Sequence, residues 1–317
     1  MLPLVTVVCP VFNEEQAVPL FYERLLKALA VVERQVRFEF LFINNRSTDG
    51  TLAALRALRE RDERVSILTM SRNFGYQASI TAGMRHASGD AIVNIDVDCE
   101  DPPELIPQFI ERWLGGADIA YGIRSQREEF FLMHWGRKLF YRVTRLISDH
   151  EIVLDMAEFF LVDRRVRDRV LATRSTFPFV RGQLGYVGFR REGIAYKRER
   201  RIVGQTHYNL LSAGKFGVAG ILSSSTSALR LLAYVGVLGF FAHMAGAVAV
   251  LWRGAEWGLS KAERVLWAAL AFQGGWMMFA FAILGLYLAR VYKDATALPL
   301  YIVDEKLSTL PEVKRVD

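Results

Sequence analysis

The chain has 317 residues, of which 52% are hydrophobic and 23% charged, so it is too apolar for intrinsic disorder and long enough for one large domain or two modest ones. A net charge of +6 and a pI near 9.4 indicate an anionic partner: nucleic acid, a phosphate-bearing substrate or an acidic lipid surface. The two cysteines, Cys9 and Cys99, do not have the spacing of a zinc site or a disulfide framework.

Short apolar runs alternate with amphipathic helical segments through the first 121 residues. Residues 4–9 are β-branched and predict a buried strand, and Asn13 is placed to cap the helix that follows, with two glutamates in its first turn. Further strands are predicted at residues 38–43, 65–70, 91–95 and 119–121. This alternation predicts an α/β fold, Rossmann-like with a mostly parallel, doubly wound sheet, whose ligand-binding loops follow the carboxyl ends of the strands.

Two aspartates, Asp96 and Asp98, directly follow the predicted strand at 91–95. Side chains two residues apart on a strand point the same way, so the two carboxylates can address one ligand. Because such close carboxylates repel each other, the pair needs a cation or several hydrogen-bond donors. At this edge of the sheet the pattern favours Mg²⁺ or Mn²⁺ holding the phosphates of a substrate. The simpler interpretation is a solvated acidic loop that caps the helix starting near Pro103.

Other polar clusters are expected at the same edge, at residues 44–48 and 71–77 and at Arg124. Three arginines are suited to binding phosphate oxygens in the bidentate manner, although solvated surface charges are the simpler interpretation: Arg124, Arg127 and Arg201. The sequence contains no P-loop, no G-x-S-x-G, no H-E-x-x-H and no G-x-G-x-x-G after the first strand, which argues against serine hydrolases and dinucleotide oxidoreductases.

The apolar excess is concentrated in the last third of the chain. Residues 231–252 and 265–289 are each long enough to span a bilayer, and the short connection between them predicts a hairpin. Residues 130–150 interleave basic and aromatic side chains, which is typical either of a helix lying on an anionic membrane surface or of an ordinary surface helix. Because no export signal is evident, we expect an integral protein of a bacterial plasma (inner) membrane with a cytoplasmic catalytic domain.

The domain organisation follows from these segments. We predict a catalytic domain over residues 1–210, which includes the basic helix at 130–150, followed by an amphipathic juxtamembrane segment at 211–228. The transmembrane hairpin then occupies residues 229–292, and residues 293–317 form a cytoplasmic tail.

Several motifs in order resemble the membrane-bound, family 2, GT-A-fold glycosyltransferases that use polyprenyl phosphate, which include dolichyl-phosphate mannose synthase and the bactoprenol glucosyltransferases. The segments that carry the resemblance run nearly end to end: V-C-P-V-F-N-E-E at 8–15, S-R-N-F-G at 71–75, T-A-G at 81–83, A-S-G-D at 87–90, D-V-D-C-E-D-P-P-E-L at 96–105, Y-G-I-R at 121–124, R-I-V-G at 201–204 and G-L-Y-L-A-R-V-Y at 285–292.

The resemblance implies roles for individual residues. Asp96, Asp98 and Glu100 would hold Mg²⁺ or Mn²⁺, and Arg124 would act beside Asp98 in catalysis. The nucleotide sugar would be bound by residues from four loops: Pro10, Asn13, Glu15, Asn45, Ser71, Asn73, Gln77 and Asp96. Glu158 stands where relatives carry a catalytic aspartate in G-D-F-R-L, but this chain has A-E-F-F-L there. Where relatives have D-D-G-S, this chain has N-N-R-S at 44–47, and the neutral Asn45 can still pair with a uracil-like edge.

We therefore expect an inverting hexosyltransferase that moves a sugar from a nucleotide-diphosphate sugar, a UDP-sugar being favoured, to polyprenyl phosphate. Its phosphate acceptor is already anionic, so a strong general base is not obligatory. Two alternatives remain open: transfer to a lipid-linked saccharide or another lipid hydroxyl, for which Glu158 is indispensable, and a degenerate, non-catalytic membrane partner. The expected partners are the nucleotide sugar, the lipid and the bilayer, without nucleic acid, and we expect a homo-oligomer.

Overall fold

The structure is a computed structural model that describes residues 2–126, 156–172, 179–199 and 299–310, together with isolated helical positions between 266 and 295. Its strands are β1 (Leu4–Val11), β2 (Arg37–Asn44), β3 (Val65–Thr69), β4 (Ala91–Asn94), β5 (Ile119–Gln126), β6 (Met156–Asp163) and β7 (Arg191–Lys197). Its helices are α1 (Ala17–Leu29), α2 (Thr51–Arg61), α3 (Tyr76–His86), α4 (Ile106–Leu114), α5 (Arg164–Leu171) and α6 (Val180–Tyr186), with a 3₁₀ turn at Pro103–Leu105 before α4.

The strands form one sheet in the order β3-β2-β1-β4-β6-β5-β7. Neighbouring strands are parallel except at β6, which runs antiparallel to both β4 and β5. The predicted α/β fold with a mostly parallel sheet is thus confirmed. The direction of β6 was not predicted, because its residues are buried on both faces and carry no signal for direction.

Successive residues of β1 point to opposite faces of the sheet and bury into two separate apolar clusters. Val7 belongs to the cluster under α1, α2 and α4, whereas Val8 belongs to the cluster under α3, α5 and α6. Helix α3 comes close to the sheet at Gly83, where an added Cβ would lie 2.1 Å from Val8 Cγ1. Because β1, β2, β3 and β4 are parallel, the loops that follow them meet at one edge of the sheet, between the two layers of helices.

The capping role expected for Asn13 is wrong. Helix α1 begins only at Ala17, and its first turn contains no acidic residue. Asn13 instead adopts a left-handed backbone conformation with φ of 57°, and its Oδ1 accepts a hydrogen bond of 2.8 Å from the Thr48 backbone N–H. The Asn13 side chain therefore binds the loop after β2 and does not cap α1. The sequence near Asn13 could not indicate this long-range contact.

The predicted membrane segments fall largely outside the described residues. Among the residues that are described, no helix is both long enough and apolar enough to cross a bilayer. The basic helix at 130–150, the juxtamembrane segment at 211–228, Arg127 and Arg201 also lie outside the described residues.

Candidate active site

Two acidic side chains, Asp96 and Asp98, lie just beyond the end of β4, a central strand of the sheet. Asp98 is 7% exposed, and its Oδ1 accepts a hydrogen bond of 3.0 Å from the Glu100 backbone N–H. Asp96 Oδ1 accepts a hydrogen bond of 2.7 Å from the hydroxyl of Tyr76, the first residue of α3. The turn is completed by Cys99, whose backbone has a φ of 57°.

This position concentrates negative charge. Removal from water raises the pKa of Asp96 well above its ordinary value, and the carboxylates of Asp98, Asp101 and Glu158 raise it further, against the opposing effect of the hydrogen bond from Tyr76. The pair Asp96 and Asp98 therefore gains from a nearby cation, which is what a divalent metal supplies. Among the described residues, no cluster of three or more acidic, histidine or cysteine side chains is already arranged as a metal site.

The acids after Asp98 are engaged by cations from β5 and from the end of β7. Glu100, predicted as a third metal ligand, forms an ion pair with Arg198. Asp101 is 2% exposed and accepts hydrogen bonds from Arg124 Nη2, at 3.1 Å, and from the Tyr196 hydroxyl. The Arg124 guanidinium, predicted to bind phosphate, is thus held beside the acidic loop by a buried partner.

Tyr196 reaches Asp101 because β5 contains a glycine opposite its ring. A Cβ added at Gly122 would lie 2.6 Å from Tyr196 Cε1. The Tyr196 hydroxyl also accepts a hydrogen bond of 3.1 Å from Arg124 Nε. Gly122 therefore permits the close packing that joins β5, β7 and the acidic loop.

Glu158 lies on β6, next to the end of β4, and its backbone carbonyl accepts a hydrogen bond of 2.6 Å from Asn94 Nδ2. Its Oε1 accepts a hydrogen bond of 3.0 Å from Gln77 Nε2 and lies 2.9 Å from Arg181 Nε in an ion pair. Gln77 Oε1 in turn accepts a hydrogen bond of 3.0 Å from the Val180 backbone N–H at the start of α6. Glu158 Oε2 is buried and has no hydrogen-bond partner within the described part of the chain.

The residues predicted to bind the nucleotide lie in loops that are tied to one another on the other side of Asp96. The Asn13 backbone N–H donates to Ser47 Oγ at 3.0 Å, and Glu15 Oε2 accepts from the Gly50 backbone N–H at 2.7 Å. Asn45 bridges the next two loops: its Nδ2 donates to Asn73 Oδ1 at 3.0 Å and its Oδ1 accepts from the Phe74 backbone N–H at 2.9 Å. Side-chain amides, a hydroxyl and backbone N–H groups therefore line this part of the edge, together with the carboxylate of Glu15.

The other residues predicted to bind the nucleotide do not all lie among these linked loops. Pro10 is buried in β1 opposite Ile43 of β2. Ser71 is exposed at the end of β3. Gln77 contacts Glu158 and Val180 instead of the loops around Asn45.

Four residues of this edge were missed by sequence reasoning: Tyr76, Arg181, Tyr196 and Arg198. Each reaches an acidic residue that is distant in sequence, so no local pattern marks it. Asp101 did carry a signal, since it lies within the acidic run that follows β4.

Comparison with known proteins defines the class to which this site belongs. Residues 6–171 match the family described as glycosyl transferase family 2. An uncharacterized glycosyltransferase of Bacillus subtilis (strain 168) is 35% identical over 305 residues, covering 95% of this chain and 93% of the relative. A prophage bactoprenol glucosyl transferase homolog of Escherichia coli (strain K12) is 34% identical over 301 residues, covering 94% of this chain and 98% of the relative.

Among solved structures, a mannosyltransferase from Pyrobaculum calidifontis in complex with GDP-Man and Mn²⁺ aligns with a TM-score of 0.48 at 17% identity, covering 93% of this chain and 87% of that one. The assignment rests on the sequence matches. This chain belongs to glycosyl transferase family 2 and is a glycosyltransferase, which confirms the resemblance predicted from the motifs.

Proposed function

We propose that this enzyme transfers a sugar, with inversion, from a nucleotide-diphosphate sugar to polyprenyl phosphate. The product is a polyprenyl-phospho-sugar used in assembling cell-envelope glycans or glycoconjugates, and a UDP-sugar is the favoured donor. The observation that carries the proposal is the position of Asp96 and Asp98 between two sets of loops. One set, around Asn45, is joined mainly by neutral groups, and the other, around Arg124, is joined by ion pairs. The naming of a relative as a bactoprenol glucosyl transferase homolog supports the lipid acceptor.

The oxygen-rich pair Asp96 and Asp98 suits Mg²⁺ or Mn²⁺, since hard cations prefer carboxylate ligands. Removal from water, and then the neighbouring carboxylates, raise the pKa of Asp96, so a bound cation would favour its ionised form. Glu100 is paired with Arg198 through Oε2, and its other oxygen would be the one to join the metal. When bound, the metal supplies positive charge that stabilises the departing nucleotide diphosphate.

The protein's own residues then have separate tasks. The loops joined by Asn13 and Asn45 offer fixed amide donors and acceptors to the nucleoside. A phosphate oxygen of the acceptor attacks the anomeric carbon of the sugar as the bond from that carbon to the nucleotide diphosphate breaks. The acceptor oxygen is already an anion at neutral pH, so it gives up no proton. Arg124, held by Asp101, keeps a positive charge near the point where the two anionic substrates meet.

A second function is favoured by one observation at Glu158. Its Oε2 is buried without a hydrogen-bond partner within the described part of the chain, so it has an unused lone pair for the proton of any acceptor hydroxyl that reaches it. In that case the enzyme would act on a lipid-linked saccharide or another lipid with a free hydroxyl. The two functions differ in whether a general base is needed.

The substitution Glu158→Gln separates the two functions. With polyprenyl phosphate as the true acceptor we expect kcat to fall by no more than about tenfold, whereas a hydroxyl acceptor that loses its base should lose roughly 10²- to 10⁴-fold. The control is Glu63→Gln, an exposed glutamate in the loop between α2 and β3. A loss larger than 10²-fold with polyprenyl phosphate would contradict the phosphate mechanism.

The proposal as a whole is tested with the full-length protein in detergent, supplied with labelled UDP- and GDP-sugars, polyprenyl phosphate and Mn²⁺. We expect a labelled lipid product with one of the sugars, and none after the metal is chelated. Release of nucleotide diphosphate without a lipid product, or no reaction with any sugar, would reject it. The absence of reaction with any sugar would favour the alternative that the protein is a non-catalytic membrane partner.

Residues 231–252 and 265–289 are the basis for a further part of the proposal. We place the enzyme in a bacterial plasma membrane through these two spans, with its catalytic domain on the cytoplasmic side, where nucleotide sugars are available. The lipid acceptor would then approach from the bilayer. A homo-oligomer stays a prediction.

A further inference from the structure

The C-terminal segment returns to the sheet after the second apolar stretch. Residues 301–310, here called the C-terminal strap, run antiparallel to the edge strand β3, with bridges between Met70 and Val303 and between Ile67 and Thr309. The Asp304 backbone N–H donates to the Thr69 carbonyl at 2.8 Å, and the Ser71 N–H donates to the Ile302 carbonyl at 2.9 Å. The strap thereby pairs the free edge of β3 from Ile67 up to the loop that follows the strand.

Side chains anchor the strap at the end of β3. Ser308 Oγ accepts a hydrogen bond of 2.8 Å from the Thr69 N–H and donates one of 2.7 Å to the Asp304 carbonyl. Tyr301, Val303 and Leu310 pack against the apolar cluster beneath α3. The backbone of Asp304 is therefore fixed at the edge where the loops after β2 and β3 lie side by side.

From this position Asp304 reaches the loop that contains Asn45. Asp304 Oδ2 lies 3.0 Å from Arg46 Nη1, in an ion pair that joins residues 258 positions apart in sequence. Arg46 has a left-handed backbone conformation, with φ of 59°, which is unfavourable for a residue that carries a Cβ. The loop consequently needs tethers to keep this shape. Besides the bonds of Asn45 and Ser47 already described, these include the bond from the Ser47 N–H to Asn44 Oδ1, at 2.9 Å, and the ion pair to Asp304.

We infer that Asp304, on the C-terminal strap, is a positioning residue of the nucleotide-binding site and holds the loop at residues 44–47 in place. Asp304 fixes Arg46, and Arg46 fixes the turn that presents Asn45 toward Asn73. The inference rests on the proposed function in one respect, that a nucleotide occupies these loops. It adds that a segment lying beyond the predicted membrane hairpin sets the affinity for the donor.

The test compares Asp304→Asn with Glu305→Gln in the full-length protein, because Glu305 is an exposed acid of the same strap. UDP and GDP binding are measured by titration calorimetry with Mn²⁺, and KM for the nucleotide sugar is measured alongside kcat. For a partly exposed ion pair we expect Asp304→Asn to weaken nucleotide binding and raise KM about two- to fivefold, with kcat within twofold. Glu305→Gln should match the wild type.

A double-mutant cycle with Arg46→Ala sharpens the test. If Asp304 acts through Arg46, then Arg46→Ala with and without Asp304→Asn should bind the nucleotide equally well. Additive effects of the two substitutions would overturn the inference, as would a lowered unfolding temperature in Asp304→Asn with nucleotide binding unchanged. Wild-type protein that binds neither UDP nor GDP would contradict the proposed function as well. Wild-type binding that Asp304→Asn leaves intact contradicts this inference alone.

Discussion

The two sides of the sheet are built with different kinds of polar contact. On the β1–β3 side, the loops are connected mainly by neutral side chains and backbone amides, as in the bonds from Asn13 to Ser47 and from Asn45 to Asn73. The ion pair of Arg46 and Asp304 adds one charged contact at the outer edge of this side. On the β5–β7 side, the contacts are ion pairs between an acid near the sheet edge and an arginine: Asp101 with Arg124, Glu158 with Arg181, and Glu100 with Arg198.

This difference matches the chemistry that each side is proposed to serve. A nucleoside is uncharged and is recognised through fixed hydrogen bonds, whereas the reacting diphosphate and the acceptor phosphate are anions that require positive charge in a protected position. We accordingly expect substitutions of the acidic pair after β4, which lies between the two sides, to affect activity most strongly. Substitutions on the β5–β7 side should affect stability most strongly.

The largest effect is expected at Asp98, which lies between the two sides. Asp98→Asn removes a charge that the metal needs, so we expect turnover to fall by at least about 10²-fold, the loss typical when a group that stabilises the transition-state charge is removed. Product formation is measured at saturating donor and Mn²⁺, with circular dichroism to verify folding. Asp168→Asn, on the exposed face of α5, serves as the control. Turnover within tenfold of the wild type would reject the metal role.

The next largest effect is expected on the free energy of unfolding when an ion pair on the β5–β7 side is broken. Arg124→Met leaves Asp101, whose side chain is 3% exposed, without its closest cation, and we expect a loss of about 3 kcal/mol in the free energy of unfolding. The thermal midpoint in detergent should fall by roughly 10 °C. Adding Asp101→Asn to Arg124→Met should recover part of this loss, because the uncompensated charge is then gone. A double variant as unstable as the sum of the two single variants would show that the pair does not act as a unit.

A smaller effect is expected at Gly122, where the packing beneath the charged side is closest. The methyl group of Gly122→Ala would push the Tyr196 ring away from Asp101, destabilising the fold by about 1–3 kcal/mol. Gly115→Ala is the matched control, since its added Cβ would meet no atom nearer than 3.3 Å. Equal unfolding midpoints for the two variants would contradict the importance of this contact.

The smallest effect is expected from an ion pair on the opposite side of the molecule. Hydrogen bonds from Arg64, and next from Tyr22, lower the pKa of Asp62 from its ordinary 3.8 to about 2. A depressed folded-state pKa stabilises the protein above the unfolded-state pKa, and the contribution is lost as the pH falls toward 2. Because Arg64 is 41% exposed, solvent screening limits the contribution to about 1 kcal/mol or less.

The measurement compares the unfolding free energy of the wild type and Asp62→Asn at pH 7 and at pH 3. We expect a small difference at pH 7 that narrows at pH 3, where the carboxylate is partly protonated in the unfolded chain. A difference that widens on acidification would mean that the sign of the pKa shift is wrong. If Asp62→Asn lowered the unfolding free energy as much as Arg124→Met does, ion pairs on the β5–β7 side would not be more important for stability than those elsewhere.

The amino-acid sequence by itself determined the parallel part of the sheet and the position of the acidic pair. Burial of β1 to β4 on both faces shows as short apolar runs, and the loops that follow parallel strands meet at one edge. Asp96 could therefore be placed at the same edge as the loops of Asn13 and Asn45 without coordinates. The spacing of apolar residues and the composition of a short segment are local properties, so they can be taken directly from the sequence.

Only the tertiary structure decided the direction of β6, the arginine that each acid engages, the failed cap at Asn13 and the return of the C-terminal strap to β3. An arginine has the same local signature whether it faces solvent or a buried carboxylate. Its partner is chosen by strand order and by close approaches such as that at Gly122. These depend on the packing of residues that are far apart in the chain, as the pair of Arg46 and Asp304 shows.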